Sequence, residues 1–240
     1  MDSNRNVLGI IPARKGSKRI PRKNLREVAG KPLIEYTFEI AKQATMLNRL
    51  IVSTDDLEVI ELAKKHGIEV PFVRPAEFAT DTATDTDWVR HAVEDLATKG
   101  WSADYVVLLR ATNPLRIAED IDLAVKKIIK TGADSVRLLN PIKEHPYWLK
   151  RIEGDLAVSF IDLGVPEEQL RSQDLPALYF INGVVDVIDV KNLQSNTLYG
   201  KKMSYELIPW ERSLDIDDLS DFQYAEFYFT QKRNEARKEL

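Results

Sequence analysis

Four short apolar runs, Val7–Ile11, Leu50–Ser53, Tyr105–Leu109 and Ser135–Leu139, punctuate the first 140 residues of the chain. Between them lie stretches of helical periodicity: Leu33–Ala44, Leu57–His66, Asp87–Lys99 and Ala118–Lys130. Near-continuous apolar strands are buried on both faces, and parallel neighbours must be joined by crossovers. The alternation therefore predicts an α/β fold with a mostly parallel sheet covered by helices on both sides. Pro32 before the first helix, and Gly67, Gly100 and Gly132 just beyond the next three, are the expected start and stop residues.

The pattern changes after Pro141. Tyr147–Ile152 and Leu156–Phe160 flank the turn Glu153-Gly154-Asp155 and read as a β-hairpin. Residues 141–178 are read as an insertion within a single domain spanning 1–240, not as a domain of their own. Its apolar residues, among them Trp148 and Leu149, with Tyr179 and Phe180 just beyond, either complete the core or form a subunit contact. Tyr179–Val190 alternates Val, Ile and Asp like a strand with one polar face. Asp218–Glu239 reads as a closing helix that packs Phe222, Tyr224, Ala225, Phe227 and Tyr228 on the sheet.

Directly after the first apolar run, Pro12 opens a loop carrying Arg14, Lys15, Lys18, Arg19, Arg22 and Lys23, with no acidic residue before Glu27. Such a stretch is either a solvated basic loop or an anion site; like charges repel and ordering a loop costs entropy, so its place directly after a buried strand calls for an anion. Gly16 and Ser17 add backbone N–H groups able to approach an oxyanion closely. The carboxyl edge of a parallel sheet is where open α/β folds bind ligands, and a polyphosphate fits the charge. The spacing is neither a Walker A motif nor a dinucleotide fingerprint.

A net charge of −4 excludes a general nucleic-acid binder, so the local positive charge suits a small anion. There are no cysteines, and His66, His91 and His145 are scattered, which excludes disulfides and makes a zinc centre improbable. No signal-peptide core and no apolar run of membrane-spanning length is present, and the expectation is a cytoplasmic protein without nucleic-acid or membrane partners.

Near the other end stands Leu214-Asp215-Ile216-Asp217-Asp218. In an extended segment Asp215 and Asp217 share one face, ~6.6 Å apart at about 3.3 Å per residue. Two such carboxylates hold Mg²⁺ together with substrate phosphates. Alternatively Asp217 or Asp218 caps the terminal helix, and the two roles can coexist. At the second strand edge, Asp55-Asp56 fit a helix cap. At the third, Arg110 to Arg116 offers polar and cationic groups to base, ribose or phosphate. Thr80–Asp85 either caps the following helix or also reads a base edge, where Asp85 could accept from a cytosine amino group.

Together the segments IIPARKGSKRIPRKN (10–24), AGKPLIEYT (29–37), VSTDD (52–56), VPFVRPAEFATDTATD (70–85), LLRATNPLR (108–116) and ERSLDIDDLSDF (211–222) resemble the acylneuraminate cytidylyltransferases, or CMP-sialic acid synthetases, and their relatives acting on other nonulosonic acids. The resemblance implies a Rossmann-like nucleotidyltransferase fold, a β-rich dimerising insertion and a homodimer. It also implies a Mg²⁺-dependent reaction of CTP with a 2-keto sugar acid. On this chain it places Arg14, Lys18 and Lys23 on the CTP phosphates, and Asn24 and Arg74, with Thr84 or Asp85, at the cytosine pocket. It places Mg²⁺ on Asp215 and Asp217, and makes Arg14, Lys23, Asp215 and Asp217 the catalytic set.

The chain departs from the family pattern at several points. Arg110 stands where Gln is frequent, Asp85 where Ser is common, and Tyr179-Phe180-Ile181 precedes Asn182-Gly183 without the Arg of many sialic-acid enzymes. Arg171 is the substitute anion contact expected beside Asn182 and Gly183 at the sugar. A different sugar acid or base, or a catalytically silent nucleotide-binding subunit, are the other readings.

Overall fold

The computed structural model describes residues 5–17, 19–161, 164, 169 and 171–238. A six-stranded sheet, in the order β10-β6-β9-β5-β1-β4, forms its centre. Its strands are β1 (Val7–Pro12), β4 (Arg49–Ser53), β5 (Tyr105–Leu108), β6 (Ser135–Pro141), β9 (Tyr179–Asp189) and β10 (Met203–Leu207). β1 pairs parallel with both β4 and β5, and β10 pairs parallel with β6. β9 runs antiparallel between β5 and β6.

The helices follow the apolar periodicity: α1 (Leu33–Gln43), α2 (Leu57–Lys65), α3 (Asp85–Thr98), α4 (Ala118–Thr131) and α5 (Leu219–Lys238). Two apolar clusters lie on opposite faces of the sheet. One gathers Val7 and Ile11 with Phe38, Val125 and Ile128, the other Leu8 and Ile10 with Trp88, Val89 and Leu96. β1 thus buries alternate residues in each layer, as a strand covered on both sides must. Gly9 has a packing reason, since a Cβ there would lie 2.9 Å from the side chains of Leu47 and Leu50.

Local chemistry sets the element ends. Asp56 accepts from the Glu58 N–H at 3.0 Å as the α2 N-cap. Thr84 and Asp87 form a reciprocal capping box on α3. Gly132 closes α4 in the left-handed conformation, φ 59°. Ala29 (φ 48°) and Gly30 (φ 78°) join β2 (Glu27–Val28) to β3 (Lys31–Pro32), as the two positive φ values of a tight hairpin demand.

The hairpin after Pro141 is β7 (Lys150–Glu153) and β8 (Leu156–Ser159), with Tyr147 and Trp148 in a short 3₁₀ turn ahead of it. Three sequence expectations are corrected. The face of β9 is not solvated at Asp186, which is fully buried between β5 and β6. α5 packs Phe222 and Ala225 against Ile20, Val28, Leu33 and Tyr36 instead of the central sheet, while Tyr224 and Phe227 stay exposed. Asp215 and Asp217 belong to no strand, and only Ile216 between them is buried.

Candidate active site

At the carboxyl ends of β1 and β5 a cleft of about 520 Å³ opens between the loop after β1, the start of α3 and the segment before α5. Ala13 donates its N–H to the Ser53 carbonyl at 3.0 Å, and the Thr54 hydroxyl donates to the Ala13 carbonyl, so the chain turns off β1 at a fixed place. The loop is then tied down at Lys15, whose N–H donates to Asp55 at 2.8 Å. Arg14, Gly16, Ser17, Arg19, Lys23 and Asn24 all reach the cleft wall. Gly16 has neither a left-handed φ nor a crowding neighbour within 4 Å, so the fold itself does not require glycine there. Lys18 lies outside the described residues.

The loop cations on the cleft wall, Arg14, Arg19 and Lys23, each have a protein partner. Arg14 Nη1 donates to Asp81 at 2.6 Å, and Arg19 meets Asp217 at 3.2 Å. Lys23 Nζ donates to the Ile216 carbonyl and stands 3.9 Å from Asp217. Burial holds the Lys23 ammonium below the ordinary lysine value, against the pull of Asp217 and Asp215. Loop and carboxylate segment, nearly 200 residues apart in sequence, are therefore in direct contact.

The two aspartates differ. Asp217 lies on the cleft wall, its side chain 60% exposed. Asp215 is open to solvent at its edge but does not line the cleft. Its carboxyl is pushed up, first by partial desolvation and then by the Asp217 charge, against a hydrogen bond from Thr112. The N–H of Ile216 donates to the Thr112 carbonyl at 2.8 Å and pins the segment to the end of β5. Asp218 caps α5, accepting from Ser220 and Asp221.

A metal held here has two side-chain carboxylates to bind, and no group of three or more His, Cys, Asp or Glu able to hold a metal ion exists among the described residues. That donor set fits Mg²⁺ brought in on phosphate oxygens and does not fit an all-protein cage.

The opposite wall is built by Arg74, Asp85, Trp88 and Arg110. Arg74 is buried, donates to the Ser53 hydroxyl and carbonyl at 3.0 and 2.6 Å, and lies over the Trp88 ring at 5.0 Å. Burial lowers its guanidinium to about 10, still charged at neutral pH. Asp85 accepts from Trp88 Nε1 at 3.0 Å and from Arg110 Nη2 at 2.6 Å. Thr84 is spent on the α3 cap and does not line the cleft.

The remaining expected residues lie off this wall. Arg171 pairs with Asp174 at 2.6 Å on the insertion. Asn182 and Gly183 form a bulge in β9, where the five steps from Ile181 to Asp186 face only two on β6. Gly183 takes φ 68°, and the Asn182 amide bonds Asn140 and the Val184 N–H. Arg19 of the basic loop and Asp81 of the Thr80–Asp85 segment, which sequence reasoning noted without an individual role, line the wall; Trp88 on the wall, and Asp186 and Arg137 behind it, were missed. Trp88 was findable, one helical turn from Asp85 on the same face.

An α/β sheet whose carboxyl edge joins a cationic loop, a two-carboxylate segment and a polar wall defines a nucleotide-binding transferase site. The chain belongs to the cytidylyltransferase family, which it matches over residues 8–240. It is 33% identical over 227 residues to a pseudaminic acid cytidylyltransferase of Campylobacter jejuni, covering 92% of this chain and 95% of that one. It is 35% identical over 230 residues to a CMP-N,N'-diacetyllegionaminic acid synthase of Legionella pneumophila, with 92% and 94% covered. An N-acylneuraminate cytidylyltransferase of Streptococcus agalactiae is 31% identical over 216 residues, covering 89% of this chain and 51% of the relative. Among solved structures, a CMP:2-keto-3-deoxy-manno-octonic acid synthetase complexed with CTP shares the fold at TM-score 0.69 and 18% identity, covering 95% of this chain and 99% of that one. No helix among the described residues is long and apolar enough to cross a membrane.

Proposed function

We propose that this protein transfers CMP from CTP to a nonulosonic sugar acid, releasing pyrophosphate, in the cytoplasm. The observation that carries the reading is the meeting of the basic loop with Asp217 in one cleft, with Arg19 and Lys23 both against that carboxylate. The relatives named for pseudaminic, legionaminic and N-acylneuraminic acids support the substrate class.

In this reading the anomeric hydroxyl of the acid attacks the α-phosphorus, and the bond to the β-phosphate oxygen breaks. Arg14, Lys23 and the basic loop around them exchange protein carboxylates for phosphate oxygens and neutralise charge as it moves onto pyrophosphate. Asn24, Arg74 and Asp85 border the base. Asp215 and Asp217 would hold Mg²⁺, which when bound polarises phosphoryl oxygens and eases deprotonation of the attacking hydroxyl. No protein nucleophile is needed. A homodimer is part of the proposal, supported by Ile152, Leu156 and Phe160 of the insertion and Tyr179 and Phe180 of β9, all exposed.

The test is pyrophosphate release from CTP, UTP and GTP with a panel of nonulosonic and shorter 2-keto sugar acids, run on wild type and Asp217→Ala. Release with CTP and at least one nonulosonic acid, abolished in the variant, is the expected result. CTP binding without release for any acid overturns the transferase reading, and near-normal turnover of Asp217→Ala overturns the metal assignment.

A further inference from the structure

We infer that Asp186, which lies behind the cleft wall and not on it, is a positioning residue that fixes Arg110 for the nucleotide site. This deepens the function proposed above and rests on it. Asp186 sits where β9 passes between two strands, opposite Leu108 of β5 on one side and Arg137 of β6 on the other. Directly opposed residues share a face of the sheet, so Arg137 reaches Asp186 without leaving its strand. Arg110 comes two residues after Leu108, just past the end of β5.

The contacts saturate the carboxylate. Oδ1 accepts from Arg137 Nε at 2.8 Å, and Oδ2 accepts from Arg110 Nη1 at 2.8 Å and from the Tyr199 hydroxyl at 3.1 Å. The Arg137 guanidinium lies over the Tyr199 ring at 4.1 Å, closing the socket. Arg110 then presents Nη2 toward the cleft, where it holds Asp85 at 2.6 Å. Of the four charged side chains, Asp186 is fully buried and Arg137 mostly so, whereas Arg110 and Asp85 are 26% and 41% exposed and line the cleft.

Two arguments make this more than a structural ion pair. Buried ion pairs are often no more stable than apolar side chains of the same volume, so stability alone gives no reason for two buried charges behind a cleft. The charges also balance, with two guanidinium groups against two carboxylates. Arg110 is therefore no free cation for phosphate, unlike the loop on the other side, where Arg19 and Lys23 share one carboxylate. It is a directed donor held beside an acceptor, suited to a polar, uncharged part of the nucleotide. Burial tends to discharge Arg110, but Asp186 and Asp85 outweigh it and raise its pKa, so the donor is permanent.

The test is a double-mutant cycle on the full chain, with Asp186→Asn, Arg110→Gln and both together. CTP affinity is read by calorimetry and KM and kcat by pyrophosphate release. Asp186→Asn is expected to weaken CTP binding and raise KM about tenfold, with kcat nearly unchanged. In the Arg110→Gln background the same change should add less than about twofold, because its target is gone. Tyr199→Phe removes the hydroxyl that bonds Asp186 and also contacts Arg110, and leaves every charge in place. It should raise KM about two- to threefold, also only when Arg110 is present, and it decides the matter if Asp186→Asn does not fold. Full additivity, or a lower Tm and kcat with unchanged KM, overturns the inference. Wild type that fails to bind CTP instead overturns the proposed function, which keeps the two failures apart.

Discussion

Asp81→Asn separates a carboxylate that merely occupies the phosphate site from one that serves it. Arg14 Nη1 bonds Asp81 at 2.6 Å across the cleft, with side chains 37% and 42% exposed. If Arg14 contacts the triphosphate, that pair must open on binding. An exposed pair of this kind is worth about 0.2–1 kcal/mol. Opening it in advance should therefore tighten CTP by about 1.4- to 5-fold, at 1.4 kcal/mol per tenfold. Removing a negative charge from beside the triphosphate acts in the same direction and is largest at low salt. Asp81 is exposed, so the fold should lose little, a Tm change of about 4 °C or less. Calorimetric titration with CTP, without divalent metal or sugar acid, reads the affinity free of turnover, and a salt series reads the charge effect. Weaker CTP binding at unchanged Tm would refute the reasoning and make Asp81 a strut that the bound loop needs.

Two further outcomes test the site and the fold. The Asp215 carboxyl is raised by burial and by Asp217, so the folded state holds its proton more tightly than the unfolded chain. The stability this gives is present below the ordinary Asp pKa and is lost as pH rises through the raised value. Ionised Asp215 is then a liability at neutral pH. Asp215→Asn should raise Tm at pH 7 by about 1–2 °C while abolishing turnover, and the gain should fade below about pH 4; an equal gain at every pH contradicts the assignment. Asp122, nearly buried, accepts from Thr45 N–H at 2.9 Å, its hydroxyl at 2.6 Å and Met46 N–H at 2.9 Å, tying the turn after α1 to α4. Asp122→Ala strands those donors and should cost about 2–3 kcal/mol in urea unfolding, with the CTP KM of the folded fraction unchanged; a loss under about 0.5 kcal/mol would mean water replaces the carboxylate.

The elements that sequence reading placed well are those with strong periodicity and end chemistry. β1 and β5 are short, apolar on both sides and followed by polar breaks, and α4 runs from Ala118 to a left-handed Gly132. β10 escaped notice because Met203-Ser204-Tyr205-Glu206-Leu207 is short and alternates, and its apolar residues point outward from a sheet edge. The direction of β9 is written in no local pattern. It follows from which strands it joins, and a parallel neighbour looks the same residue by residue.

Asp186 shows where charge misleads. An Asp within a strand normally marks the wet face, yet it shares its face with Ile188, fully buried, while Val185 and Val187 on the other face are buried too. Val, Ile and Asp in that order therefore signalled a covered strand with one paired carboxylate, and the missing piece was a partner forty-nine residues away at Arg137. The basic loop was legible for the opposite reason, since its charges crowd into a few consecutive residues.

In the proposed function, the same contrast would orient a substrate in the cleft. On the loop side, Arg14 is held by Asp81, and Arg19 and Lys23 share Asp217, so described cations outnumber the carboxylates that face them. That side keeps an excess of positive charge for a polyanion. On the α3 side, Arg110 and Arg137 are balanced by Asp186 and Asp85, and Arg74, though charged, is buried and turned onto Ser53 and the Trp88 face. A ligand with a highly charged end and a polar, nearly neutral end then has one favourable direction to lie, phosphates toward the loop and base toward α3. The reverse placement would put a triphosphate against the Asp85 carboxylate while leaving the loop cations unused. Reversed binding thus loses at both ends at once, and that double loss sets the direction.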